Sequence, residues 1–217
     1  MTRQLLGGTA VALLLVLATG CADAVPGAAT AAAGTSRPAG LPATADDLGD
    51  LVLADVPSGL PRVPDEELEP PAGPKTVQDV AGYAEDPERE AEVLADYGYR
   101  WGWERFWKDD PALTSVFVDQ FAGVSGAAAY AADLARNDTE YYGGSPDRDP
   151  DDLPAGCSVL TVDAPAADTG LGGPAAFVWC AHGPFTVAVA AVAADPDAAL
   201  AEAHAATLAQ LELLPRG

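Results

Sequence analysis

Downstream of Thr76 the apolar runs are clearly punctuated. Thr76 followed three residues later by Asp79 has the form of a capping box and predicts a short helix to about Tyr83. Asp86-Pro87 pairs an N-cap residue with proline at the first helical position, and Gly98 supplies a stop, so a helix is predicted over 87–97. Tyr99 to Trp107 reads as a strand, Lys108-Asp109-Asp110-Pro111 as a turn, and Leu113 to Phe121 as the antiparallel partner. Ser125 is placed to cap a helix that sets Ala127, Tyr130, Ala131 and Leu134 on one face. A polar connection, Asn137 to Pro154, leads to strands at Ser158 to Val162, Ala175 to Ala181 and Phe185 to Ala193, the last two joined by His182-Gly183-Pro184. The third of these is apolar on both faces, as a central covered strand is. Asp195-Pro196 repeats the earlier start signal, and the last helix is predicted to run to about Leu214.

Consecutive hairpins with terminal helices predict an α+β fold. The expected architecture is an antiparallel sheet of about five strands with helices packed on one face, and its order admits two β-β-α units. Upstream, Pro57, Pro61, Pro64, Pro70 and Pro71 make the stretch to Pro74 unsuited to regular structure. Leu48, Leu51 and Leu53 open the folded part, which starts near Asp46. Before it, residues 22–45 are almost wholly Ala, Gly, Pro, Thr and Ser, with Asp23 and Arg37 the only charges. Such a coil spans roughly 25 to 30 Å and reads as a tether.

The first residues carry an address. Arg3 forms a short positive region, and Leu5 to Leu17 is an uncharged, mostly apolar run broken by Gly7 and Gly8, as in a secretory leader and too short to span a bilayer. Leu17-Ala18-Thr19-Gly20-Cys21 resembles the lipobox of bacterial lipoproteins, departing from it at Ala18, where Leu is commoner. The resemblance implies cleavage after Gly20, two acyl chains on Cys21 and an anchor in the outer face of the cytoplasmic membrane. The alternatives are a secreted protein with Cys21 incidental, or an uncleaved anchor. The expected organisation is a leader over 1–20, a lipidated Cys and tether over 21–45, and one extracytoplasmic domain over 46–217.

Cysteine count and charge narrow the picture. The chain has three Cys; with Cys21 set aside, Cys157 and Cys180 remain to pair in an oxidising compartment. Neither Cys has the C-x-x-C spacing of zinc sites, and His182 and His204 do not supply a partner motif, so neither metal nor cofactor is expected. Eleven Lys and Arg against 33 Asp and Glu give a formal charge of −22, which opposes nucleic acid and anionic headgroups as partners.

The densest candidate chemistry lies between Tyr97 and Trp107, where three of the four Trp fall. At period two, Tyr99, Trp101, Trp103 and Trp107 share one face, with Arg100, Gly102, Glu104 and Phe106 on the other. One reading is a ligand-binding platform of Tyr99, Trp101 and Trp103 flanked by Arg100 and Arg105, for a glycan, lipid or peptide. The other is a sheet face packed under a helix, since only 7% of the chain is aromatic and a core needs these side chains. In the second case Trp103 and Trp107 are buried and Arg100 is exposed.

Gly98, Gly102, Arg105 and Trp107, then the Val-rich strand and Phe121-Ala122 with Ala127, are together similar to a set of actinobacterial lipoproteins of uncharacterised activity. That resemblance covers roughly Leu48 to Leu214, implies a small surface-exposed α+β domain and brings no established activity or catalytic residues to carry over. Asp147, Asp149, Asp151 and Asp152 suggest a calcium loop, but the position that requires Gly holds Asp152 and the one that requires Glu holds Ser158. His204 falls on the apolar stripe of the last helix, and Ser125 lacks the second Gly of a nucleophile elbow. The expected function is therefore a non-catalytic, membrane-anchored binding module for an envelope protein, glycan or lipid. A hydrolase or other enzyme, and a spacer without a ligand, are the alternatives.

Overall fold

A computed structural model describes residues 40–215. The leader, Cys21 and most of the tether lie outside the described residues. In chain order the elements are α1 (Ala45–Gly49), β1 (Gly73–Lys75), α2 (Val77–Ala81), α3 (Pro87–Tyr97), β2 (Tyr99–Asp109), β3 (Ala112–Phe121), α4 (Val124–Tyr142), β4 (Asp147–Arg148), β5 (Cys157–Val162), β6 (Ala175–His182), β7 (Phe185–Val192) and α5 (Pro196–Leu213).

Local chemistry accounts for most helix ends. Thr44 and Thr76 close capping boxes with Asp47 and Asp79 at α1 and α2, while Asp86 and Asp195 accept backbone N–H groups at the starts of α3 and α5. Gly98 ends α3 at φ 75°, a left-handed conformation that disfavours a Cβ. The fourth helix departs from expectation at both ends. Gly123 is its N-cap and Ser125 lies within its first turn, and it continues through Asn137, Asp138 and Thr139 to Tyr142, where the sequence reads as polar connection. Those three residues are weak helix formers, and packing of the helix on the sheet overrides their propensity.

All seven strands join one antiparallel sheet in the order β1-β2-β3-β7-β6-β5-β4, so the class is α+β. The count exceeds the expected five because short edge strands form at Gly73–Lys75 and Asp147–Arg148, in segments whose Pro and Asp residues hide any strand pattern. Pairing of β3 with β7 joins the two meanders and makes β7 the central strand, fourth of seven.

Helices cover both faces of the sheet, correcting the one-faced arrangement. On one face, α1 and α5 pack over Trp107, Val116, Val118, Val178, Phe185 and Val187. On the other, α2, α3 and α4 lie over Tyr99, Phe121, Leu160, Phe177 and Trp179. The cause is visible in β6, apolar at every position from Ala175 to Ala181, since a strand apolar on both sides requires cover on both. Because α4 crosses onto β5, β6 and β7, the two β-β-α groups do not pack as separate units. Cys157 and Cys180 oppose each other across β5 and β6, 4.0 Å apart at Cα, and form a disulfide within the α5-side core.

Candidate functional site

The aromatic strand is largely closed by the chain itself. Between Tyr99 and Trp101 the β2–β3 register slips by one residue, so this bulge turns Tyr99 onto the α4 side while Trp101, Trp103, Arg105 and Trp107 face the other way. The expected sharing of one face by Tyr99 and the three Trp residues is therefore corrected. Residues 41–56 then strap over that second face. Arg105 is buried and donates to the carbonyls of Val52 and Leu53, both at 2.7 Å, and of Gly49 at 3.3 Å. Trp107 is fully buried, with Nε1 donating to the Ala54 carbonyl. Trp101 and Trp103 are half-buried; Trp101 Nε1 donates to Gln120, which in turn donates to the Pro42 carbonyl. Arg100 alone of the five candidates is exposed. Trp101, Trp103 and Arg105 hold down the strap, and Tyr99 belongs to a different site.

That site is a cavity of about 370 Å3 between α4 and the sheet. Its roof is a stripe on α4 at intervals of four, Tyr130, Leu134, Asp138 and Tyr142, which one helical face presents together. Its floor is the alternate set Leu113, Ser115, Phe117 and Asp119 of β3. The space exists because the central strand is small here. Ala188 stands opposite Phe117 and Trp179, and Ala190 opposite Ser115 and Phe177, so two methyl groups lie where large side chains would fill the layer beneath α4. Tyr142, Phe177 and Trp179 stack in succession along one wall, with centroids 4.6 and 5.9 Å apart.

Three carboxylates reach this apolar space. Glu104 is neutralised by Lys75 at 3.1 Å, and its two oxygens share the proton donated by the Tyr83 hydroxyl; burial pushes its carboxyl above the usual range while Lys75 and Tyr83 pull it back. Asp138 accepts from Trp179 Nε1 at 3.1 Å and is likewise raised by burial, with that hydrogen bond opposing. Asp119 is 8% exposed and forms no ion pair with any basic side chain among the described residues. Burial pushes it up to about 7, the Tyr99 hydroxyl drawing it down and the charge of Glu104 adding to the rise. Gly102 makes this arrangement fit: a Cβ there would lie 2.2 Å from Asp119 Oδ1 and 2.5 Å from the Tyr99 hydroxyl.

A raised carboxyl weakens folding as it ionises. Asp119 contributes stability fully below its ordinary pKa near 4, and that contribution is lost as the pH rises through about 7. Asp119→Asn is accordingly expected to stabilise the domain by about 2–4 kcal/mol at pH 8 and to change little near pH 4. Urea denaturation at the two pH values checks this; equal effects at both would contradict the burial account.

The remaining candidates have local roles. His204 Nδ1 pairs with Asp152 at 2.8 Å, tying α5 to the acidic segment, and Asp149 accepts from the Gly156 N–H. Among the described residues no three His, Cys, Asp or Glu side chains converge as metal ligands, and no helix is long and apolar enough to cross a membrane. A second hollow of about 370 Å3 beside α5 has Glu202 as its one ionisable lining residue, already bonded by Ser58 and Thr114.

No protein-family model matches the sequence, and no curated protein matches it. Among solved structures it is similar to the extracellular domain of PknH from Mycobacterium tuberculosis, with a TM-score of 0.40 and 13% identity over 56% of this chain and 69% of that one.

Proposed function

We propose that this protein is a lipid-anchored envelope protein whose extracytoplasmic domain captures a small, largely apolar ligand without chemically changing it. The leader, the Cys21 lipobox pattern and the tether support the anchor, and the Cys157–Cys180 disulfide suits an oxidising compartment. The observation that carries ligand capture is the cavity under α4: aromatic walls, the small side chains of Ala188 and Ala190, and a buried Asp119 without a basic partner among the described residues.

Two measurements test the two halves. The full chain produced in an actinobacterial host is expected to incorporate an alkyne-tagged palmitate, and Cys21→Ser to abolish the label; label retained by the variant would contradict the anchor. The domain is expected to bind the neutral fluorophore N-phenyl-1-naphthylamine as a saturable single site with enhanced emission. Emission that rises without saturation, or equally with urea-unfolded protein, would contradict the capture reading.

A further inference from the structure

We propose that the ligand is an organic cation, a protonated amine on an apolar, ring-bearing body, whose ammonium docks on Asp119 while its body lies along Phe117, Phe177 and Trp179. This deepens the capture reading and rests on it. Three observations on the cavity converge on that class. First, its charges do not balance: Lys75 cancels Glu104, whereas among the described residues no basic side chain pairs with Asp119 or Asp138. An unpaired carboxylate in an apolar space is costly to folding and is relieved by a positive charge brought to it. Second, the walls suit a cation. Phe117, Tyr130, Tyr142, Phe177 and Trp179 all line the space, and aromatic rings attract ammonium groups most strongly where water is excluded. Third, the cavity offers an anion no charge partner: no Lys, Arg or His is among its lining residues, and Lys75, which reaches the lining carboxylate Glu104, is held by it and by the Pro71 carbonyl.

The charge at Asp119 is set from every side. Tyr99 and Glu104 on β2 act on it directly, Lys75 on β1 and Tyr83 after α2 act through Glu104, Tyr130 on α4 feels the charge of Asp119 in return, and Asp138 faces the same space from α4. An amine held there competes with a proton on Asp119, so its affinity is expected to fall as the pH drops below about 7, while that of a neutral analogue stays flat.

Isothermal titration with three probes of one shape, 4-phenylbutylamine, 4-phenylbutan-1-ol and 4-phenylbutyrate, tests the class at pH 8 in 150 mM salt. The amine is expected to bind at least about tenfold more tightly than the alcohol, and the acid more weakly than both. Asp119→Asn is expected to bring the amine level with the alcohol when both are measured on that variant, and a urea midpoint at pH 8 no lower than the parental one establishes that the variant is folded. Alcohol binding equal to or tighter than amine binding would overturn the cationic class and leave capture standing. An amine preference that survives Asp119→Asn would overturn the assignment to Asp119, because attraction to the acidic surface as a whole persists in that variant. Failure of all three probes to bind would overturn capture itself.

Discussion

Ala188→Leu combined with Ala190→Leu is expected to weaken N-phenyl-1-naphthylamine binding by roughly 100-fold while leaving the domain as stable as the parent or more so. Both side chains start from the central strand under α4, between Phe117 and Trp179 in one row and Ser115 and Phe177 in the next. Each substitution adds three carbons to the mostly apolar space under α4. Filling it contributes up to about 0.8 kcal/mol per methylene, less whatever strain the tighter layer imposes. The combination of lost binding and retained stability separates a cavity that holds a ligand from a packing fault, because a fault would lose nothing when filled. Fluorescence titration and thermal melting of the same preparation supply both readouts. Unchanged binding in a folded double variant would place the ligand elsewhere.

Trp107→Ala is expected to destabilise the domain by about 3–5 kcal/mol, a large share of the roughly 5–15 kcal/mol that holds such a domain together. The side chain has no exposed surface and sits among Val116, Val118 and the strap residues Val52 and Val56. Its removal opens a cavity and leaves the Ala54 carbonyl without the Nε1 donor. Trp101→Ala is expected to cost less, since that ring is only half-buried, although it also releases Gln120 from its hydrogen bond. Urea midpoints order the two variants. Near-parental values for both would revive the aromatic strand as an open platform and contradict the closure described for residues 41–56.

Much of the fold was legible because it is written in local signals. Thr76-Asp79, Asp86-Pro87, Gly98 and Asp195-Pro196 each set a helix end where their side-chain chemistry requires one. The two-sided apolar character of Phe185 to Val192 placed β7 at the centre, and the same character argued for helices on both faces, which the one-faced expectation overlooked. The candidate site was far less legible. Its roof needs Asp138, one of the weak helix formers that made the end of α4 read as a loop, and Tyr142, which stands beyond them. Only the interval of four from Tyr130 through Leu134 would have revealed them.

The reassignment of Tyr99 depends on a bulge that no periodicity announces, and period two without it puts Tyr99 beside the Trp residues. Gly102 was a usable sign, since a glycine inside an aromatic strand marks a close approach, here of Asp119 and Tyr99. The strap over Trp107 was illegible for a different reason. Its contacts are side chains gripping irregular backbone, Arg105 and Gln210 on the carbonyls of Gly49, Leu51, Val52 and Leu53, and such pairings leave no pattern along the chain.

Methyl-resolved NMR of the domain titrated with 4-phenylbutan-1-ol tests most directly whether the space under α4 is the site. The two faces of the sheet carry separate sets of methyl groups, so the location of a neutral ligand is read without reference to charge. Saturable shifts are expected at Leu113, Leu134, Ala188 and Ala190, with Leu48, Val116, Val187 and Ala203 on the opposite face unmoved. Shifts confined to the α5 face, or none at saturating ligand, would contradict the assignment of this cavity as the binding site.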